Sequence, residues 1–360
     1  MLMQVLWFVA GLSALVIGAE VLVRGASRLA LSFGISPLVV GLTIVAMGTS
    51  APEMAVSTGA VLDGKVDVAL GNVVGSNIFN ILFILGASAL IAPLVVHVQV
   101  IRQEVPIMLG SALLLLAMAW DGKVTAVEAG LLLVLVVGYT VFLIVQSRRE
   151  SAGNAAEFEA ELQAPLANAW DSRWPVQVAL IGVGLAMLVL GSDWLVSSAV
   201  AFAKAFGVSD LIIGLTIVAV GTSLPEVATS ITAALKGERD IAVGNVVGSN
   251  TFNILGCVGL SGLASGTMGL TVADSLLAFD IWVMLAATLA CLPIFISGRE
   301  IARWEGGVLL VYYGAYVVYL IMAAQQHDAL GSFSATMMSF VLPLTIVALV
   351  ASLMRGRNSS

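Results

Sequence analysis

Two acidic residues stand inside otherwise apolar runs in the same local setting, Gly48-Thr49-Ser50-Ala51-Pro52-Glu53 and Gly221-Thr222-Ser223-Leu224-Pro225-Glu226. Proline in a helix has no N–H to donate, and its ring clashes with the carbonyl four residues earlier. Pro52 is therefore expected to free the carbonyl of Gly48, and Pro225 that of Gly221. Such backbone is tolerated at membrane depth only where it is buried in protein or lines a wet cavity. Freed carbonyls and Thr or Ser hydroxyls are hard oxygen ligands, the kind that suit Ca2+ and Na+. Glu53 and Glu226 follow at once, each midway along its run. An ionised side chain there costs roughly 3 kcal/mol or more, so it is a functional candidate by default. One such glutamate could be a protonated packing group. Two, identically placed, point to ion ligation.

A second pattern also occurs twice, Gly71-Asn72-Val73-Val74-Gly75-Ser76-Asn77-Ile78-Phe79-Asn80 and its match from Gly244 to Asn253. Ser76 and Asn80 are four apart and share a helical face, as do Ser249 and Asn253. The glycines suit close helix packing, while the Ser and Asn side chains offer further oxygen ligands; both uses are compatible. Cys257 and Cys291 fall inside apolar runs and read as buried thiols, not as a disulfide or a metal pair. His97 lies near a run boundary and His327 in a loop, both read as surface residues. No Cys/His cluster, nucleotide loop or nucleophile–base pair is present, so neither enzyme chemistry nor a bound cofactor is expected.

The elements that carry these residues are apolar throughout. The 360 residues are 60% hydrophobic and 10% charged, with a mean hydropathy of +1.07. Soluble domains carry about a quarter charged residues, so the fold class is an all-α membrane protein with the lipid bilayer as its solvent. Runs of about 20 apolar residues span a bilayer. They are read here at 4–32, 37–62, 68–93, 103–120, 124–147, 175–203, 210–235, 241–265, 275–297, 303–324 and 335–354. The first is too long, and too interrupted by Glu20 and Arg24, for a cleaved signal peptide. With the N-terminus extracytoplasmic, twelve basic residues fall at cytoplasmic ends and only Lys65, Lys123 and Lys204 opposite. That asymmetry puts the 148–174 loop in the cytoplasm. A net charge of −7 gives no reason to expect a nucleic-acid partner.

The chain is one unit written twice. Residues 41–88 align without gaps to 214–261, with 31 of 48 columns identical at an offset of 173. Upstream, Gly18 meets Gly191 and Glu20 meets Asp193; downstream the register drifts, pairing Glu104 with Asp280, Glu128 with Glu305 and Tyr139 with Tyr316. Each unit holds five spans. Five is odd, so the second unit enters the membrane inverted, an architecture that forms sites near the midplane between repeats. The expected units are 1–149 and 173–325, joined by a solvated linker at 150–172, with an accessory helix and tail at 326–360.

At the paired motifs the chain resembles the cation/Ca2+ exchanger superfamily, specifically its prokaryotic Na+/Ca2+ exchanger branch. The resemblance implies residence in a prokaryotic inner membrane and a central site where Glu53 and Glu226 bind Ca2+. It also implies hydroxyl ligands from Thr49, Ser50, Ser76, Thr222, Ser223 and Ser249, and carbonyl ligands from Ala46 and Ala219. Family members alternate access by sliding the first and sixth spans across the core. Several carry Asp where this chain has Asn253, and here both repeats have Asn (Asn80 and Asn253), so the motifs supply two carboxylates. Two carboxylates match one Ca2+ or two Na+ in charge. The expected activity is exchange of Na+ for Ca2+, the ions competing for the same glutamates. Alternatives are a Ca2+/H+ antiporter with the glutamates carrying protons, a cation channel lined by the same oxygens, or a non-transporting scaffold.

Overall fold

The computed structural model describes residues 2–153, 171, 173–206 and 219–346. Helices follow the apolar runs: α1 (Leu2–Phe33), α2 (Pro37–Leu62), α3 (Val68–Ile91), α4 (Val100–Ala119), α5 (Ala126–Gly153), α6 (Trp174–Ala205), α7 (Leu224–Leu235), α8 (Arg239–Ala264), α9 (Leu276–Ile296), α10 (Arg303–Ala324) and α11 (Leu330–Ile346). Among the described residues, nine of these are long and apolar enough to cross a membrane. The first part of the run expected at 210–235, most of the 150–172 linker and the end of 335–354 lie outside the described residues. Large apolar side chains such as Leu2, Val127 and Val311 face outward, as a lipid-facing surface requires. The most apolar stretch of α8 is buried throughout, whereas that of α10 is 6% buried, so α8 runs through the centre and α10 along the perimeter.

Helices α1 and α6 lie antiparallel against each other, as inverted copies must. Their contact is made by glycines seven residues apart. A Cβ on Gly11 would meet the Gly191 carbonyl at 2.7 Å, and one on Gly184 would meet the Leu22 nitrogen at 2.7 Å and the Gly18 carbonyl at 2.8 Å. Glycine at these positions therefore lets two backbones touch, the small-residue packing that membranes favour. Arg24 and Arg28 reach Asp171, just before α6, at 2.7 and 3.5 Å, and Gln177 donates to Ser32 at 2.6 Å. These contacts clasp the pair at one end.

The downstream drift in the repeat is structural. Tyr139 donates to Glu104 (2.7 Å) and Tyr316 to Asp280 (2.9 Å); Glu128 accepts the Thr125 N–H and Glu305 that of Ala302, both at 2.8 Å. Two short ribbons tie the repeats together. Strand β1 (Leu94–Val95) pairs with β4 (Glu300–Ile301), and β2 (Lys123–Val124) with β3 (Leu270–Thr271). Each joins a loop of one repeat to a loop of the other.

Candidate functional site

Helix α2 is broken at the first motif. It runs through a π-helical turn at Gly41–Val45 and a last helical turn, Ala46–Thr49, to Ser50, whose φ of −79° and ψ of 2° end the helix. A new helix, Ala51–Leu62, starts with Pro52 in its first turn. Proline here opens a half-helix, at a position where an N–H is not needed; the sequence expectation of a freed carbonyl becomes a full break. The second motif repeats this: Ser223 (φ −90°, ψ 7°) separates Ala219–Gly221 from α7, which begins with Leu224 and Pro225. Glu53 and Glu226 each sit in the first turn of the second half-helix, where the positive end of the helix favours a carboxylate. Both are fully buried.

The two half-helices exchange hydrogen bonds. Ser50 Oγ donates to Glu226 Oε1 at 3.2 Å, and Ser223 Oγ donates to Glu53 Oε1 at 2.8 Å. Since 50 matches 223 and 53 matches 226 in the repeat, the bonds are related by the internal pseudo-twofold. Ser76 Oγ lies 3.2 Å from Ser223 Oγ, close enough to donate to it. The other oxygens, Glu53 Oε2 and Glu226 Oε2, are buried with no hydrogen-bond partner among the described residues, as are Asn80 Oδ1, Thr222 Oγ1 and Ser249 Oγ. Buried oxygens rarely lack a partner. A group of them around two carboxylates has the chemistry of a hard-cation site, where metal–oxygen bonds take the place of hydrogen bonds.

Other expected ligands are placed as follows. Thr49 Oγ1 lies 3.3 Å from the Ala46 carbonyl and 3.1 Å from Asn245 Oδ1. The Ala46 carbonyl also accepts the Ser50 N–H at 3.0 Å, so one lone pair is in use. Ala219 lies in the helical turn Ala219–Gly221 before the second break. Asn80 and Asn253 are the first residues of π-helical turns, Asn80–Leu85 and Asn253–Cys257, local widenings often found at functional sites. Their amides are used for bracing: Asn80 Nδ2 donates to Asn250 Oδ1 (2.9 Å) and Asn253 Nδ2 to Asn77 Oδ1 (3.2 Å). Asn77 and Asn250 in turn donate to each other's backbone carbonyls at 3.3 and 3.4 Å. Four asparagines thus knit α3 to α8 across the pseudo-twofold.

Sequence reasoning missed this brace, and it missed Asn245, which donates to Ser230 Oγ (2.9 Å) and to the Glu226 carbonyl (3.4 Å) while facing Thr49. Its counterpart Asn72 donates to Ser57 at 3.0 Å. The signal was present, because Asn72, Ser76 and Asn80 are successive members of one i, i+4 row, and Ser57 lies four residues after Glu53. The glycines of the second pattern do pack closely in α8: a Cβ on Gly248 would meet the Leu42 carbonyl at 2.6 Å. The equivalent partners of Gly71 and Gly75 fall outside the described residues.

Inverted repeats with broken helices meeting at a buried pair of carboxylates are an architecture of secondary transporters. Comparison with known proteins gives the family. The sequence matches the family described as "Sodium/calcium exchanger protein" over residues 3–145 and 176–322. It is 41% identical over 330 residues to a putative antiporter, CaxA, of Alkalimonas amylolytica, covering 90% of this chain and all of that one. It is 35% identical to the sodium/calcium exchanger MaX1 of Methanosarcina acetivorans, covering 86% of this chain and 96% of the other. Among solved structures it is similar to the sodium-calcium exchanger NCX_Mj soaked without Na+ or Ca2+, with a TM-score of 0.74 and 28% identity over 89% of this chain and 99% of that one. The chain belongs to the sodium/calcium exchanger family, in the prokaryotic branch of the cation/Ca2+ exchanger superfamily. It is an integral membrane antiporter, not an enzyme.

Proposed function

We propose that the chain exchanges Na+ for Ca2+ at one central site, opened alternately to the two sides of a prokaryotic inner membrane. Glu53 and Glu226 are the charged ligands. Thr49, Ser50, Ser76, Thr222, Ser223, Ser249, Asn80 and Asn253, with the carbonyls of Ala46 and Ala219, make up the oxygen set from which each ion takes its ligands. The reciprocal Ser50–Glu226 and Ser223–Glu53 bonds carry this reading, because they join the repeats while the second oxygen of each glutamate is buried without a hydrogen-bond partner among the described residues. An unpaired carboxylate pair is costly to move through low dielectric. Helices α1 and α6 therefore slide as a unit when one Ca2+ or a set of Na+ ions neutralises the site, and stall when it is empty. That rule gives exchange instead of leak. The units are 1–149 and 173–325, with the N-terminus outside, the 150–172 linker cytoplasmic, and 326–360 as an accessory helix and tail.

Uptake of radiolabelled Ca2+ into Na+-loaded proteoliposomes tests the coupling ion. Uptake that needs internal Na+ and persists when ionophores abolish the pH gradient is the expected result. Uptake driven by a pH gradient and indifferent to Na+ would transfer the same site to a Ca2+/H+ antiporter. Ca2+ flux without any counter-ion would make it a channel.

A further inference from the structure

The pair α1–α6 is docked unevenly on the two repeats. α1 lies along α7, but α6 makes no comparable contact with the matching half-helix Ala51–Leu62 of α2. Two bonds accompany the docking, and neither has a counterpart in the first repeat. Ser192 of α6, 6% exposed, donates from Oγ to the carbonyl of Gly221 at 2.6 Å. That carbonyl would be bonded in a continuous helix by the N–H of residue 225, which is proline. At the matching position of α1 the chain has Ala19, which has no hydroxyl to offer Gly48. The second bond joins Lys236, at the end of α7, to Glu20 of α1 at 2.9 Å. The positions related to it by the repeat are Asp63 and Asp193, two acids.

In an inverted-repeat transporter the opposite access state is reached by exchanging the roles of the repeats. Here that exchange sets Ala19 against Gly48 and brings Asp193 toward Asp63. One hydrogen bond is lost, and an ion pair is replaced by like charges. We propose that Ser192 is a positioning residue that latches the sliding pair to the second repeat through the Gly221 carbonyl, with Glu20–Lys236 as a weaker second latch. The ion-free protein accordingly rests in the docked state described here. This inference relies on the alternating-access reading of the site, though not on the identity of the coupling ion. Glu20–Lys236 is half-exposed and contributes modestly; the buried Ser192 bond carries most of the bias. It also holds the backbone next to Thr222 and Ser223, so the latch senses the site through one residue.

The test is a distance measurement in lipid nanodiscs without Na+ or Ca2+, between spin labels at Leu190 of α6 and Leu62 of α2, both exposed. The native cysteines are buried and stay unlabelled. The parent protein should show mainly the longer distance. Ser192→Ala should raise the short-distance population about fivefold, the equilibrium weight of one net hydrogen bond, and Ser192→Thr should restore the parent distribution. Ala19→Ser, which gives the first repeat the hydroxyl it lacks and removes nothing, should raise the short distance as well. Unchanged distributions in Ser192→Ala and Ala19→Ser would overturn the latch. Because no transport is read, a protein that fails to exchange Na+ for Ca2+ can still pass this test, and one that exchanges them can still fail it.

Discussion

Each site glutamate has one oxygen held by a serine of the opposite repeat and one that is buried without a hydrogen-bond partner among the described residues. A hydrogen bond to a carboxylate contributes about 1.5–3 kcal/mol, so Ser223→Ala and Ser50→Ala should each weaken Ca2+ binding roughly ten- to hundredfold. Similar losses in the two variants are expected, because the bonds are equivalent; a loss confined to one would break the pseudo-twofold account. Asn245→Ala should also weaken binding while lowering thermal stability, since it strips Thr49 of one partner and Ser230 of its donor. The glutamates and flanking hydroxyls were legible in the sequence because a proline and an acid recur together in two apolar runs. Asn245, Asn77 and Asn250 were not singled out, although they lie inside the repeated pattern. Spacing gives the face a side chain occupies, but not which partner stands opposite in another helix.

At the scale of elements, hydropathy located the spans well, because a bilayer requires about 20 apolar residues whatever their packing. The breaks at Ser50 and Ser223 were foreshadowed by the prolines. The π-helical turns were not: one extra residue in a turn leaves an apolar run unchanged. The glycine seam of α1 and α6 is open to direct test. Gly184→Leu would drive a side chain into the backbone at Leu22 and Gly18, and overpacking of that kind costs about 1–3 kcal/mol. The variant should unfold several degrees lower in detergent, whereas Gly182→Leu, with nothing within 4 Å, should not.

The clasp at Asp171 makes a pH prediction. Burial acts to raise its carboxyl pKa, but the Arg24 hydrogen bond and the charges of Arg28 and Arg24 outweigh it and hold the group below its ordinary value of 3.8. A depressed folded value contributes stability above the ordinary value, and that stability disappears as pH falls through the lowered one. Asp171→Asn should therefore be modestly less stable than the parent at neutral pH, Arg24 being about half exposed, and the gap should close in strong acid.

For the whole molecule, the duplicated sequence already required inversion, and the antiparallel α1–α6 seam, the crossed ribbons and the reciprocal serine bonds are its physical form. What the alignment left open was the asymmetry. Departures from the repeat such as Ser192 for Ala19 and Lys236 for Asp63 have no visible role in the alignment alone; the structure places them where α1 and α6 meet the second repeat. The orientation can be checked by introducing a cysteine at Ser151 and treating intact cells with a membrane-impermeant thiol reagent. The expected outcome is protection until the membrane is opened; immediate labelling would reverse the assigned sidedness.

In the proposed mechanism both repeats build a single ion site. Equilibrium binding of radiolabelled Ca2+ to the purified protein, with Na+ as competitor, tests it most directly in the parent, Glu53→Gln and Glu226→Gln. The expected result is one Ca2+ per chain, displaced competitively by Na+, and loss of that binding in either variant alone. Two independent Ca2+ per chain, or full binding retained when one glutamate is replaced, would contradict it.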